Sequence, residues 1–481
     1  MFSHSSSPFT FTFTFPLLLA GAFAVAHAAE GRPAPPAALR GQAGSASHID
    51  LQWTDASDSE TGFLIQRSLA SKEPPAWEPI GSAPANATRF QSVGLLARTS
   101  YRHRICSHSA KGQSDWVILD PIETPEAFPG PRGRVIVPSS DEFPRNGEGS
   151  FVVLAGGVLA YYYGAWPSAG DDARGTRIAR ITSKDDGDTW TPPAVVLKED
   201  GQDLYHPCLA RLANGAVGLA YTKRRSGTKL AEKVFRSSRD EGATWSDEVP
   251  ISDGKWKRYI TGAHDRLVRL ESGRLIVPVF MAMLNSSVVV GGKPVAASLV
   301  FASDDHGLTW QRKTPSPQFI AEGSGDRNCE EPCVVEWRKG QLLMVHRTLR
   351  GWLYESRSTD NGETWSPPTR STVANPRAPA RLERIPGSGH ILMIHNPHTS
   401  GRDWHKGARL VLASQTSPDG GLTWEHYRQL EYDGKTWYDY PSVFWVGDTL
   451  HVAYRATAGA LGTSRTDVRY LKLKRDWLVE H

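Results

Sequence analysis

Apolar residues in this chain come in short runs, and none recurs over a long stretch at the three-and-four spacing of an amphipathic helix. Phe151-Val152-Val153-Leu154, Val217-Gly218-Leu219-Ala220-Tyr221, Leu275-Ile276-Val277-Pro278-Val279 and Leu342-Leu343-Met344-Val345-His346 are typical. Turn-forming stretches precede several of them, as in Leu212-Ala213-Asn214-Gly215, Glu271-Ser272-Gly273-Arg274 and Arg338-Lys339-Gly340. Runs bounded in this way read as short strands. Nearer the N-terminus, Ile49-Asp50-Leu51-Gln52-Trp53 alternates apolar and polar positions, and Phe63-Leu64-Ile65-Gln66-Arg67 does so more loosely. The expected fold class is all-β.

One motif, Ser-x-Asp-x-Gly-x-Thr-Trp, occurs five times, ending at Trp190, Trp245, Trp310, Trp365 and Trp424. The steps between these tryptophans are 55, 65, 55 and 59 residues. A fixed motif at such a period marks a repeat architecture. Short strands with one motif per repeat predict a β-propeller over residues 132–481, of roughly six four-stranded blades. The last repeat, ending at Val468-Arg469-Tyr470-Leu471-Lys472-Leu473, lacks the motif. A strand near Arg134 to Val137 is expected to close it. Within the motif, Ser and Asp suit a hairpin turn, Gly suits positive φ, and Trp packs between strands. The five aspartates are therefore turn-formers rather than acids.

The chain has 481 residues, 39% apolar and 22% charged, with a net charge of +4. That length allows two or three domains. No block of Lys or Arg stands out, which argues against a nucleic-acid or membrane footprint. Residues 1–28 read as a signal peptide: an almost uncharged stretch around Leu17-Leu18-Leu19 leads to the small-x-small pattern Ala26-His27-Ala28. The expected location is secreted or periplasmic, with no membrane span after signal removal. Residues 33–125 form a first domain and the Pro- and Gly-rich 126–131 a linker. Four cysteines are too few for a disulfide framework. Cys106 and Cys208 are expected free; Cys329 and Cys333 bridge only if the chain bends between them. Cys-rich metal spacing is absent, so no zinc is expected, and no cofactor is implied.

Buried Trp53 and the Leu95, Thr99, Tyr101 corner make residues 33–125 similar to a fibronectin type III β-sandwich. The resemblance implies a module that binds glycan or protein. The repeated motif is the Asp-box, and through it the propeller resembles the sialidase (neuraminidase) superfamily. That resemblance implies three arginines holding a sugar carboxylate, a Tyr nucleophile with a Glu beside it, and an Asp acid/base. Guanidinium groups suit a carboxylate because they stay charged and bind it in a planar fork. A neutral Tyr avoids the repulsion that a carboxylate nucleophile would meet from the substrate's own charge.

Carried onto this chain, the resemblance implies Arg145, Arg347 and Arg409 as the clamp, with Arg402 as alternative to Arg409; the usual Arg-Ile-Pro is absent at Arg145. Tyr440 resembles the nucleophile, with Tyr438 as alternative, and Glu331 its partner, with Glu330 as alternative. Asp171 and Asp172 lie where the acid/base belongs. The clamp is expected to stabilise ionised Tyr440. Outside the family pattern, Asp265 and Arg266 read either as an extra substrate clamp or as an ion pair at a blade edge. His206 reads as a packed histidine or a donor to a sugar hydroxyl. Glu148 is expected either to orient Arg145 or to clash with an anionic substrate.

The implied function is that of an exo-glycosidase acting with retention on a terminal acidic sugar, first of all sialic acid, so that the partner is a sialoglycan or other acidic glycan. Two alternatives stay open: the same chemistry on a uronate or keto-deoxy acid, and a glycan-binding propeller without catalysis.

Overall fold

The computed structural model describes residues 31–126, 132–169, 175–252, 258–282, 286–290, 292–314, 317–321, 328–397, 409–433, 435–458 and 465–479. The proposed leader, Asp171, Asp172 and Arg402 lie outside these residues. Apart from the 3₁₀ segment Ala155–Gly157 and the helix Arg475–Val479, the regular structure described is all strand.

The N-terminal unit holds two sheets. Ala37–Ser45, His48–Thr54 and Arg89–Val93 form one, while Gly62–Leu69, Glu78–Pro84, Ser100–Ser109, Gly112–Gln113 and Val117–Glu123 form the other. Alternation puts Ile49, Leu51 and Trp53 on one face of the first sheet. They meet Phe63, Ile65, Tyr101 and Ile105 of the second in a shared core. The Tyr101 hydroxyl accepts the Leu96 amide at 3.0 Å, holding the corner before its strand.

Six blades of a β-propeller follow among the described residues: blade 1 (145–197), blade 2 (202–250), blade 3 (260–312), blade 4 (330–374), blade 5 (381–431) and blade 6 (436–474); blades 1 and 6 are joined in one sheet, and blade 4 continues into the second N-terminal sheet. Blade 6 takes its outer strand, Arg134–Val137, from the beginning of the domain, with Val137 opposite Val468 and Arg134 opposite Tyr470. The first strands of neighbouring blades touch: Arg145–Val153 meets both Gln202–Arg211 and Thr436–Val446, and Arg381–Arg384 meets Glu330–Arg338 and Thr436–Val446. These strands therefore surround the axis, and whatever they project inward forms the site.

The Asp-boxes do the work expected of them. In the third, Ser303 Oγ donates to Asp305 at 2.7 Å and accepts the Gly307 amide at 2.8 Å, while the Asp305 carboxylate accepts the Thr309 amide and hydroxyl. The same bonds recur at Asp185, Asp240, Asp360 and Asp419. Each box also presses its glycine on the blade before it. Gly187 faces Tyr470, Gly242 faces Tyr162, Gly307 faces Phe235, Gly362 faces Ile276 and Gly421 faces Leu343.

The two units meet where Val373 of blade 4 bridges Gly81 and Arg89 pairs with Glu425 at 2.6 Å. A cavity of about 500 Å³ lies at this junction and is lined by none of the candidate site residues. All four cysteines are buried free thiols, so Cys329 and Cys333 do not bridge.

Candidate active site

Four of the axial strands share one local irregularity. The ladder slips between Gly147 and Ser150, Tyr205 and Cys208, Glu330 and Cys333, and Asp439 and Ser442. Each slip contains a non-glycine residue at positive φ: Glu148 at 54°, His206 at 55°, Glu331 at 39° and Tyr440 at 53°. Asp265 of blade 3 has φ 55°. Such a bulge re-aims one side chain out of the sheet, and left-handed backbone at a bulky residue is strain that clusters at functional sites.

The local sequence accommodates it. Gly149, Pro207, Pro332 and Pro441 follow the turned residue, and the three prolines carry no N–H for the interrupted ladder to satisfy. Ser150, Cys208, Cys333 and Ser442 come next and are buried. Ser150 Oγ accepts the Leu209 amide of blade 2 at 3.0 Å, and Cys333 Sγ accepts the Leu382 amide of blade 5 at 3.3 Å. The small residue thus ties one axial strand to the next.

Glu148, His206, Glu331 and Tyr440 face a common cavity of about 290 Å³, which Arg145, Arg224, Lys229, Tyr259, Thr261, Glu330, Arg347 and Arg377 also line. The Tyr440 hydroxyl donates to Glu331 Oε1 at 2.9 Å and accepts from Arg347 Nη1 at 3.1 Å. Arg347 Nη1 also donates to Glu331 Oε2. Arg455 lies 4.3 Å from the Tyr440 ring centroid and Arg409 5.5 Å from it.

Burial works against ionised Glu331, but Arg347 and the Tyr440 hydrogen bond outweigh it and hold the carboxyl below its ordinary range. Tyr440 moves the other way. Burial and the Glu331 charge raise its pKa, and Arg347 and Arg409 only partly offset them. Arg347 and Arg409 do favour ionised Tyr440, as expected of the clamp, but burial and Glu331 outweigh them and hold the phenol above its ordinary pKa, beside a carboxylate that can take its proton.

A second carboxylate is fixed with equal care. Glu148 accepts from Arg145 Nη2 at 2.9 Å, lies 2.5 Å from His206 Nε2, and accepts from Arg455 Nη1. Burial opposes its charge, yet Arg455, Arg145 and His206 hold it well below the usual carboxylate range. Asp439, fully buried, accepts from Arg455 Nε at 2.8 Å and Nη2 at 3.0 Å, and from Arg409 Nη1 at 2.5 Å.

The structure brings Tyr440, Glu331, Arg347 and Arg145 together on the cavity wall. Glu330 is there too, paired with Arg377 at 3.2 Å. Tyr438 instead packs in the hydrophobic core of blades 5 and 6. Arg409 lies against the Tyr440 ring, with Nη1 on Asp439 and Nη2 on the Arg377 carbonyl at 2.9 Å, while its buried Nε has no hydrogen-bond partner among the described residues. Asp265 and Arg266 correct the extra-clamp expectation. Asp265 accepts from Ser150 at 2.8 Å, Arg381 Nε at 2.6 Å and the Val443 amide at 3.1 Å, which knits four blades together. Arg266 is buried and donates to the Ala380 carbonyl at 2.9 Å. Neither lines the cavity.

Arg455, Asp439, Arg377, Arg224 and Lys229 were not legible as site residues. Arg455 follows an ordinary strand run, and only its pairing opposite Asp439 across the ladder reveals it. The turned residues did carry a signal: x-Pro-(Cys or Ser) occurs at His206, Glu331 and Tyr440, and x-Gly-Ser at Glu148.

Residues 156–452 match the BNR repeat-like domain. The chain belongs to that family. A sialidase of Bacteroides fragilis is 26% identical to this BNR-repeat chain over 220 residues, 43% of this chain and 36% of that protein, so the chain spans about a third of that relative's length. Among solved structures, the Hadza microbial sialidase Hz136 aligns over 92% of this chain and 95% of its own, with TM-score 0.57 and 16% identity. The leech intramolecular trans-sialidase aligns over 93% of both, with TM-score 0.54 and 13% identity. At these identities the likeness of the BNR-repeat chain to the two structures is one of fold.

Proposed function

We propose that this chain is a sialidase-like glycoside hydrolase that releases a terminal acidic sugar with retention, using Tyr440 as nucleophile. The observation that carries the reading is the Tyr440–Glu331–Arg347 cluster on the wall of an axial cavity. In the first step the Tyr440 oxygen bonds to the anomeric carbon and its proton passes to Glu331. The bond to the leaving oxygen breaks, and that oxygen takes its electron pair and a proton from an acid, Asp171 or Asp172 on sequence grounds. Water then reverses the sequence, giving its proton to the same Asp. Export is part of the reading, on the strength of the uncharged 9–26 stretch and Ala26-His27-Ala28.

The sialidases among the similar proteins make sialic acid the first sugar to test. A second reading, another acidic sugar, is favoured by Glu148, an ionised carboxylate already seated between Arg145 and Arg455. The test is turnover of fluorogenic acidic glycosides by the full chain, with the product anomer followed by NMR. A released sugar that keeps its configuration, and a Tyr440→Phe variant without turnover, are expected. Inversion, or full activity in Tyr440→Phe, overturns the reading.

A further inference from the structure

We propose that His264 is a positioning residue for the nucleophile: from blade 3 it holds the peptide that follows Tyr440 and so keeps the tyrosine aimed at Glu331. The inference rests on Tyr440 being the nucleophile of the proposed function.

Tyr440 and Pro441 stand inside the slip of the blade 6 ladder, between Asp439 and Ser442. Tyr440 has φ 53°. A bulky residue keeps such left-handed backbone only where its surroundings over-determine it. At the tip of the side chain, the hydroxyl meets Glu331 and Arg347. At its base the hold comes from blade 3, which stands opposite blade 6 in the ring. His264 Nε2 donates to the Pro441 carbonyl at 3.2 Å, and Asp265 accepts the Val443 amide at 3.1 Å. Two consecutive residues thus grip the chain on both sides of Ser442, directly after the turned tyrosine. The His264 ring also lies 5.6 Å from the Tyr440 ring, centroid to centroid, inclined at 45°.

The imidazole is suited to holding rather than to proton transfer. It is fully buried and does not line the cavity. Burial, with the Arg266 charge, pushes its pKa down to about 3, so at neutral pH it carries one ring hydrogen. A carbonyl partner requires that hydrogen on Nε2. Nδ1, also buried, has no hydrogen-bond partner among the described residues. The single donor is therefore engaged by the Pro441 carbonyl, and the ring has no second hydrogen to pass on. The same segment reaches the bulge of His206: the Asp265 amide donates to the Pro207 carbonyl at 3.1 Å, and Cys208 Sγ donates to the Ala263 carbonyl at 3.5 Å. Neither of those bonds uses the His264 side chain, so a substitution there removes the hold on Pro441 and leaves them in place.

The test compares His264→Phe, which keeps a ring but no donor, with His264→Gln, whose side-chain amide restores a donor. In the full chain, kcat of His264→Phe on the acidic glycoside that the wild type cleaves is expected to fall about a hundredfold, because a misplacement of about 1 Å suffices for that. KM is expected to stay within about threefold, since the cavity wall is untouched. His264→Gln is expected to recover kcat to within about tenfold of wild type. Crystal structures read the cause: the Tyr440 hydroxyl leaves Glu331 in His264→Phe and keeps its 2.9 Å bond in His264→Gln. Wild-type kcat in His264→Phe, or an unmoved Tyr440, overturns the inference. So does a His264→Gln variant that loses as much as His264→Phe, or a rise in KM that parallels a fall in the urea midpoint, since both mark a structural role alone. Should His264→Phe not fold, His264→Asn takes its place; its side chain is too short for the Pro441 carbonyl, and the same loss is expected. Wild-type protein that cleaves no acidic glycoside removes the proposed function and leaves the crystal structures to decide: Tyr440 displaced in His264→Phe upholds the positioning, and Tyr440 in place overturns it.

Discussion

The Tyr440 hydroxyl donates to Glu331 Oε1 at 2.9 Å, although 109 residues separate the two along the chain. Each stands at the left-handed position of a bulge, in blades 6 and 4, followed by a proline. Their meeting is a property of the ring of blades. Tyr440→Phe keeps the ring's packing but removes the attacking oxygen, so glycoside turnover is expected to fall by about a thousandfold or more. The lost partner of Glu331 costs about 1–2 kcal/mol of folding stability, read from urea unfolding.

The buried carboxylates set a sign for the pH dependence. Glu331, Glu148, Asp439 and Asp265 all have pKa values below their ordinary 4.5 or 3.8. The unfolded chain therefore binds more protons, and stability rises with pH through this window. Their contribution is complete above the ordinary values and is lost as pH falls through the lowered ones. The urea midpoint is expected to be level above about pH 5 and to drop below about pH 4. The acid limb of kcat/KM, set by Glu331, is expected below pH 4.5. A limb near pH 6 would assign the base elsewhere.

Asp439 is the counter-charge of two buried guanidiniums, Arg409 and Arg455. Asp439→Ala leaves both without it and is expected to cost about 3–5 kcal/mol. Asp439→Asn retains acceptors and should cost less. Both values come from chemical denaturation, and equal values for the two variants would show that charge is not what matters at this position.

Gly307 and Gly273 both have φ of 90°. A Cβ on Gly307 meets the Phe235 ring, whereas one on Gly273 meets nothing within 4 Å. Gly273→Ala reports backbone strain alone, about 1 kcal/mol. Gly307→Ala adds the collision between box and blade and is expected to cost about 1–3 kcal/mol more. Equal destabilisation would show that the boxes do not clamp successive blades.

The strand runs and the five Asp-boxes determined an all-β chain of roughly six blades, because both the period-two pattern and the turn chemistry are local. The same local reasoning marked Arg134 to Val137 as the strand that completes blade 6, since a motif-less last repeat needs a partner. Tyr440, Glu331 and Arg347 were also legible, through a family pattern of residue types in chain order. What only the tertiary structure decided is the pairing of charges. Arg455 and Asp439 become one ion pair because they lie opposite each other in a ladder, and Glu148 joins them from 307 residues away. Asp265, which stood in the sequence as a possible ligand group, becomes the knot of four blades. A sequence shows which residues can carry charge; which charge meets which depends on distances through space, and those exist only once the ring has formed.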